Sequence, residues 1–583
     1  MLPWSSFRRW GAPGLVGAAV LAAGLAVPSG PPSALGATPG PSSVQAAAPD
    51  QPGKPGRPNI GPNIGPNIGP NIVVVMADDM RTDELAHMPS LRATVAEHGL
   101  TFQNSFSPYP LCCPARASFL TGRYAHNHRV YWHEAPYGYG AFDDSRTLAT
   151  SLRAAGYSTG FIGKYLNRYG PARSKVSGRP SYKYVPRGWT DWRASIDAVR
   201  GVGVHGSTYN YLDTPFNVNG RVDNRYRGRY QSHVIGDFSV DMARGFSRRA
   251  RPFFMYVNYL APHFGGPREP DDPPSFLTDD RGGRQDLRTP ARPPSVRGRF
   301  DRLITRGAGM PKGGGPSERD ISDKPKAFSR LPEPNARERR ALAELTRQRA
   351  EAIYVMDQQV KRLVRELKRS GEWADTVFMF TSDNGYYLGE HRRRSGKVRA
   401  HEPSLRVPFL VTGPGIRAKA SRFDPVTTID VSASILDLAD AVSPRQADGT
   451  SRVPTMLRGD RGWTVPVLNE ATHAEGYDGQ SPGFRGPRTS IGIRTARYSY
   501  IRNRTDEHEL YDLKRDPLQQ DNVYGRPGHA AVERALRRVW WRTRDCAGAE
   551  CRVALPPVLR AGPAVEAALT RSYWQRVRRV YGF

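Results

Sequence analysis

The chain has 583 residues, 38% of them hydrophobic, enough to bury a large core, which sets a small core-poor scaffold aside. Its formal net charge of +30 is spread along the sequence and attracts polyanions such as nucleic acid, anionic lipid or acidic polysaccharide; the plain alternative is an arginine-rich composition without functional meaning. Beyond the N-terminus no apolar run reaches the roughly 18 residues that a membrane span needs, so no spanning helix is expected in the mature chain.

In chain order, Arg8 and Arg9 precede an apolar run from Gly11 to Val27, and small residues follow at Ser33–Ala37. This is the pattern of an export signal, expected over residues 1–37, and the mature protein is expected outside the cell, in the periplasm or on the cell surface. The Arg8–Arg9 pair alone is weak evidence for twin-arginine export. Residues 38–70 read as a Pro/Gly-rich linker. It runs into a tandem Pro-Asn-Ile-Gly repeat (Pro58 to Ile72), whose prolines and glycines forbid a helix or a ladder.

A catalytic domain is expected over 71–443 and a C-terminal subdomain over 444–583. The run from Asn71 to Met80 is continuous in Ile and Val until Asp78 and Asp79, as suits a central parallel strand buried on both faces. Three more apolar runs end in polar groups: Ser158–Asn167 near Lys164, Pro252–His263 at His263, and Thr376–Gly385 at Asp383 and Asn384. Apolar positions from Leu342 to Leu367 recur mostly at spacings of three and four, an amphipathic helix. Alternating strands and helices predict a doubly wound α/β sheet, where ligands gather at the carboxyl ends of strands.

Each polar cluster alone has a plain alternative. Asp-Asp is a common turn or cap, Asp-Asn-Gly a common turn, and a single His or Lys a satisfied strand end. Together, Asp and Asn oxygens suit a hard cation, Ca²⁺ or Mg²⁺, and no Cys/His set has zinc spacing.

Between these runs lies Leu111–Arg123, LCCPARASFLTGR, with two adjacent cysteines in a chain that has four. Neighbouring cysteines seldom bond to each other, so one is a buried filler or one serves chemistry. Pro114 is expected at the first helical position. That puts residue 112 just ahead of a helix N-terminus, where anions are favoured, with Arg116 one turn on and reaching back to it. The remaining pair, Cys546 and Cys551, is expected to close a small disulfide loop in an exported chain. Thr489–Asn503 and the following Glu509–Leu513 fit a hairpin-rich region, and Ala530–Arg544 fits a helix.

CCPARASFLTGR, starting at Cys112, resembles the sulfatase signature, Cys-x-Pro-x-Arg followed by Leu-Thr-Gly and a basic residue. The segments GKYLNRYG, VPRGWTDW, APH, TSDNGYYLGE and LRVPFLVTGPGI are similar to the N-acetylglucosamine-6-sulfatase branch, which includes the heparan 6-O-endosulfatases. ELYDLKRDPLQQDNV is similar to the family's closing motif, so the resemblance spans about Asn71 to Val523; the stretch from about Gly265 to Pro334 has no clear counterpart. The resemblance implies an alkaline-phosphatase-like fold, a large mixed sheet flanked by helices with a smaller C-terminal antiparallel sheet and a packed helix.

It further implies that a formylglycine-generating enzyme oxidises Cys112 to an aldehyde on the unfolded chain, reading Pro114 and Arg116, with Cys113 in the variable slot. One hydroxyl of the aldehyde hydrate attacks sulfur, and the other expels sulfate as the aldehyde re-forms. Asp78, Asp79, Asp383, Asn384 and the modified Cys112 resemble the ligands of a divalent cation, Ca²⁺ or alternatively Mg²⁺. Lys164 and Lys397 resemble the sulfate-clamping lysines, and His263 the general acid to the departing alcohol.

The chain departs from the pattern at Leu166, where many sulfatases have His, at Ala115, where Ser is usual, and at His401, where near relatives often have Tyr. His126 and His128 are expected either to line the pocket or to be structural. The implied activity is hydrolysis of sulfate monoesters on a sulfated sugar or polysaccharide resembling N-acetylglucosamine-6-sulfate, with no nucleic-acid partner. The competing readings are a phosphodiester or phosphonate hydrolase of the same superfamily and a non-catalytic polyanion-binding protein.

Overall fold

The Ile/Val run forms strand β1 (Asn71–Asp78) at the middle of a ten-stranded sheet, with every residue of the strand buried. The computed structural model describes residues 69–273, 276–278, 284–443, 445–472 and 484–583. The expected export signal, and all but the last two residues of the expected linker, lie outside the described residues.

The other strands of this sheet are β2 (Leu100–Phe102), β3 (Ser158–Gly163), β4 (Asp191–Ser195), β5 (Phe216–Val218), β6 (Arg221–Asp223), β7 (Phe253–Pro262), β8 (Thr376–Ser382), β9 (Phe409–Thr412) and β10 (Ala420–Arg422). Their order is β10-β2-β9-β8-β1-β7-β3-β4-β5-β6. The centre, from β8 through β1, β7 and β3 to β4, is parallel, while β9 runs antiparallel to both β8 and β2. Mixed edges on a parallel centre match the doubly wound expectation.

Side chains alternate across a strand, so a strand covered on both faces must be apolar throughout. On β1, Ile72, Val74 and Met76 enter one core with Phe119 and Leu120 of helix α1 (Cys112–Thr121). Val73, Val75 and Ala77 enter the other, with Val234 and Ile235 of α2 (Gln231–Phe246) and Ile353, Met356 and Val360 of α3 (Ala336–Arg369). The start of α3 is set by a capping box: the Asn335 side chain accepts from the Glu338 N–H at 3.0 Å, and Glu338 accepts from the Asn335 N–H at 3.0 Å.

A second, four-stranded antiparallel sheet, β11 (Val467–Ala471), β12 (Ser490–Arg494), β13 (Tyr498–Asn503) and β14 (His508–Asp512), packs against helix α4 (Ala530–Thr543). Trp540 of α4 donates its indole N–H to the Ile491 carbonyl at 3.1 Å. Cys546 and Cys551 form the expected disulfide, Cα atoms 5.1 Å apart. A last helix, α5 (Pro563–Tyr581), had no counterpart in the sequence reading. It returns to the large sheet, where Asn104 donates to the Thr570 hydroxyl at 2.7 Å and Trp574 donates to the Gln103 carbonyl at 3.2 Å.

Candidate active site

The parallel register brings four strand ends to one level. Ala77 of β1 pairs with Ser382 of β8, so Asp78 and Asp383 follow side by side. The β1–β7 pairing shifts between Met76 and Asp78, where Asp78 meets Pro262. Asp79 adopts a left-handed backbone (φ 67°), which Asp tolerates better than most residues, and its N–H donates to Asp383 Oδ1 at 3.1 Å. Gly163, at φ 90°, ends β3; a Cβ there would lie 1.8 Å from the Asn258 carbonyl oxygen, so only glycine allows the close turn that delivers Lys164.

Helix α1 adds residue 112. Its first helical bond runs from the Ala115 N–H to the Leu111 carbonyl at 3.0 Å, and Leu111 is the N-cap. The expectation that Pro114 opens this helix is therefore corrected: Cys112 is the first helical residue and Pro114 the third. The first N–H groups of a helix have no intrahelical acceptor, so proline costs nothing at the third position either. Cys112 still stands at the positive end of the helix.

The side chains converge in a buried cluster. Cys112 Sγ lies 3.3 Å from Asp78 Oδ1 and 2.7 Å from Lys397 Nζ. Lys164 pairs with Asp78, and Lys397 with Asp79. Arg116 Nε donates to Asp383 Oδ2 at 2.8 Å, and its Nη1 donates to the Lys164 carbonyl at 2.8 Å and to Asn258 Oδ1 at 3.0 Å. Arg116 thus grips Asp383 through Nε, while its Nη2 has no hydrogen-bond partner. Asn384 Nδ2 donates to Asp79 Oδ1 at 2.6 Å. His263 Nδ1 lies 2.7 Å from the Phe264 carbonyl oxygen, and Nε2 lies 3.7 Å from Asp79 Oδ2. A carbonyl only accepts, so Nδ1 carries the hydrogen and Nε2 is the atom free to exchange a proton.

Burial raises the Asp78 pKa, but Lys164, His263, Arg116 and Lys397 outweigh it and hold the carboxyl well below its usual range. Asp383 is pushed up to about 6 by burial and by Asp78, against Arg116. Burial and Asp78 push the Cys112 thiol well up, against Lys164 and Lys397. Burial brings His263 down to about 4, against Asp78 and Asp79. For Lys164, burial is outweighed by Asp78, which raises its pKa.

Asp78, Asp79, Cys112 and His263 each offer a ligand atom within 4.8 Å of the others. Two buried oxygens here, Asp79 Oδ2 and Asn384 Oδ1, have no hydrogen-bond partner. An orphaned buried acceptor costs about 1–3 kcal/mol, and a set of carboxylate and amide oxygens matches a hard divalent cation, which would relieve both. The residues present therefore fit such an ion.

The remaining candidates lie elsewhere. His126 Nδ1 is 2.8 Å from Glu470, and its Nε2 is 2.7 Å from the Cys546 carbonyl oxygen. His128 is 2.9 Å from the Ser118 hydroxyl, and His401 is 2.7 Å from Glu509. All three are tied into structure, and Leu166 is buried in the core. Sequence reasoning missed His133, half-buried in a loop, whose pKa is held well down by burial and by Lys397 and Lys164. It also missed Tyr209, whose ring centroid is 5.0 Å from Lys164 Nζ and 5.3 Å from the His263 ring. Neither sits at the end of an apolar run or in a segment that carries the family resemblance, the two signals that found the others.

A family model for sulfatases matches residues 70–441, and a model for the N-sulphoglucosamine sulphohydrolase C-terminal region matches residues 389–545. The arylsulfatase of Volvox carteri is 30% identical over 520 residues, covering 82% of this chain and 75% of its own length. The N-acetylglucosamine-6-sulfatase of Capra hircus is 28% identical over 528 residues, covering 82% of this chain and 84% of its own. A structure solved with its substrate, D-glucosamine-2-N,6-O-disulfate, shares the fold at TM-score 0.59 and 20% identity, covering 81% of this chain and 96% of that one. So does a phosphonate monoester hydrolase from Silicibacter pomeroyi, at TM-score 0.57 and 22% identity, over 85% of this chain and 99% of that one.

Proposed function

Because the chain belongs to the sulfatase family and is therefore an enzyme of sulfate ester hydrolysis, we propose that residue 112 is its nucleophile and a 6-O-sulfated glucosamine its sugar. The observation that carries this reading is the placement of Cys112 Sγ, 3.3 Å from Asp78 and 2.7 Å from Lys397, at the meeting point of the strand ends. Converted to formylglycine by a dedicated maturation enzyme, residue 112 supplies a geminal diol, one hydroxyl to attack sulfur and one to expel sulfate as the aldehyde returns. A divalent cation, Ca²⁺ in preference to Mg²⁺, would be held by Asp78, Asp79, Asp383, Asn384 and residue 112, and would polarise the sulfate oxygens.

The chain's own groups do the rest. Lys164 and Lys397 place two ammonium charges against the sulfate, in a site where water is excluded and each charge counts for more. Arg116 holds Asp383 in place. His263, its Nδ1–H anchored on the Phe264 carbonyl, presents Nε2 to the leaving oxygen; burial brings its pKa down to about 4, so Nε2 delivers a proton there once the negative charge of a bound sulfate raises that pKa. On the pattern of residues 1–37, the mature enzyme acts after export.

Mass spectrometry of the peptide bearing residue 112, combined with sulfate release from glucosamine 6-sulfate, tests this. The expected result is an aldehyde mass at 112 and turnover of the sulfate ester well above that of a matched phosphonate ester. A matured protein that leaves the sulfate ester intact, or prefers the phosphonate, overturns it.

A further inference from the structure

Beside the strand-end cluster the fold builds a cavity of about 310 Å³, lined by Tyr209, Phe264 and the chain that follows Phe264. Its floor is three lengths of chain bonded backbone to backbone. Gly266 N–H donates to the Tyr209 carbonyl at 2.8 Å and Tyr211 N–H to the Gly266 carbonyl at 2.8 Å; Gly265 N–H donates to the Thr289 carbonyl at 3.0 Å and Ala291 N–H to the Gly265 carbonyl at 2.9 Å. Gly265 is required there, since a Cβ would lie 2.9 Å from the Tyr209 carbonyl oxygen and the Tyr211 ring. The floor is therefore braced before any ligand arrives.

One wall separates this cavity from the catalytic groups, and it is aromatic. Tyr209 lines the cavity while its ring touches Lys164 and His263 on the other side; Phe264 also lines it, its ring centroid 4.2 Å from that of His263. Over the Phe264 face stands the Arg288 guanidinium, 5.1 Å from the ring centroid and exposed. Among the described residues no carboxylate pairs with Arg288. Asp272, the one acid among the described residues that line the cavity, is already engaged: it accepts from the Thr289 hydroxyl at 2.8 Å and from the Glu269 N–H at 2.9 Å. Arg268 stands at the same rim, 3.9 Å from Asp272.

We propose that this cavity is a subsite for a second anionic group of the substrate, with Arg288 as the specificity-determining residue. The substrate class is then a saccharide whose residue next to the one losing sulfate carries a carboxylate or a further sulfate, in preference to an isolated sulfated monosaccharide. The volume is at the lower end of small-ligand sites and suits one sugar ring. Aromatic walls cover an apolar sugar face, and a guanidinium without an acid partner is the group that recognises a carboxylate or sulfate in a bidentate manner. This inference rests on the proposed sulfatase site for its orientation, but binding at the subsite does not depend on turnover.

The test has a binding arm and a kinetic arm. The probes are a heparin-derived disaccharide bearing a uronate and a 6-O-sulfated glucosamine, and glucosamine 6-sulfate alone. In the binding arm, the full chain carrying Cys112→Ala, which cannot consume the probe, is titrated with each. Arg288→Ala is expected to weaken disaccharide binding about tenfold, the size of one charge-assisted contact, with Arg288→Lys recovering part of it. The monosaccharide should change less than about twofold, and the exposed Arg542→Ala control, with the same loss of charge, should change neither. In the matured enzyme the same loss should appear in kcat/KM for the disaccharide and not for an aryl sulfate. Equal binding of the disaccharide by wild type and Arg288→Ala, or an equal loss in Arg542→Ala, overturns the subsite. Normal binding with no sulfate release overturns the catalytic reading and leaves the subsite standing.

Discussion

Two buried clusters of charge meet the same helix–loop segment of this protein, and they differ in how completely their atoms are used. At the strand ends, Asp78, Asp79, Asp383 and Asn384 surround Cys112 together with Arg116, Lys164 and Lys397, yet Asp79 Oδ2, Asn384 Oδ1 and Arg116 Nη2 have no hydrogen-bond partner. Between the two sheets, Glu470 is held by His126 at 2.8 Å and by Arg488 at 2.8 Å, while the other nitrogen of His126 faces the Cys546 carbonyl oxygen. No side-chain atom of His126, Glu470 or Arg488 is buried without a partner. Burial of ions is common to both. The His126–Glu470–Arg488 trio acts as a strut, while the strand-end cluster keeps two unpartnered acceptor oxygens, Asp79 Oδ2 and Asn384 Oδ1, of the kind a hard cation takes.

The largest break in this contrast is expected at residue 112. Cys112→Ala removes the proposed nucleophile without disturbing a packed ion pair, and turnover of a sulfate ester should fall by at least about 10⁴-fold while the thermal midpoint moves little. A variant that keeps measurable turnover would remove residue 112 from the chemistry.

The opposite signature is expected at the strut. Glu470→Ala leaves His126 buried without its acid and Arg488 held by Asp545 alone, and should cost about 3 kcal/mol of stability in denaturant unfolding, the low end for a broken buried pair, with kcat of the folded fraction nearly unchanged. The pH dependence follows from the same geometry. Burial alone would raise the Glu470 pKa, but His126 and Arg488 bring it down to about 2. A carboxylate whose folded pKa is depressed contributes stability that is fully present above its unfolded value, near 4.3, and that is lost as pH falls toward about 2. A Glu470→Gln variant should lack that part of the acid transition; an unchanged acid limb would deny the pair its role.

Lys397→Ala sharpens the comparison from the catalytic side. With one clamp charge gone, kcat should drop about 10²–10³-fold, with a stability change smaller than that of Glu470→Ala. The smallest effect is the ion's own. Ca²⁺ at about one hundred times its dissociation constant should stabilise the chain by about 2.7 kcal/mol in thermal unfolding, and Asp79→Asn should abolish that shift while Glu470→Gln retains it. A shift that survives Asp79→Asn would place the ion elsewhere.

Much of this was legible in the chain. Continuous apolar runs marked β1, β3, β7 and β8, and their terminal polar residues marked Asp78, Lys164, His263 and Asp383. In a parallel sheet the end of a run is also the edge where ligands gather. The same method was blind to His133, Tyr209 and Arg288, which reach the site or its neighbourhood from loops, where no periodicity ties a residue to a place. It also misplaced the start of α1 by two residues, because proline is tolerated at any of the first helical positions and so marks a helix start only loosely. His126 and His128, in the short helix Ala125–His128, were ambiguous for a related reason: one turn of helix carries no periodicity to say what its side chains will face.

By itself the sequence determined four central strands of the large sheet, the helix that carries residue 112 and the closing of Cys546 on Cys551, because each depends on periodicity or on partners a few residues apart. Only the tertiary structure decided which polar groups meet across some three hundred residues, which of them are used up on arrival, and which cavity lies behind the Tyr209–Phe264 wall. Those outcomes depend on strand register and loop packing, and on whether each buried atom finds its partner, which are properties of distance in space that spacing along a chain does not encode.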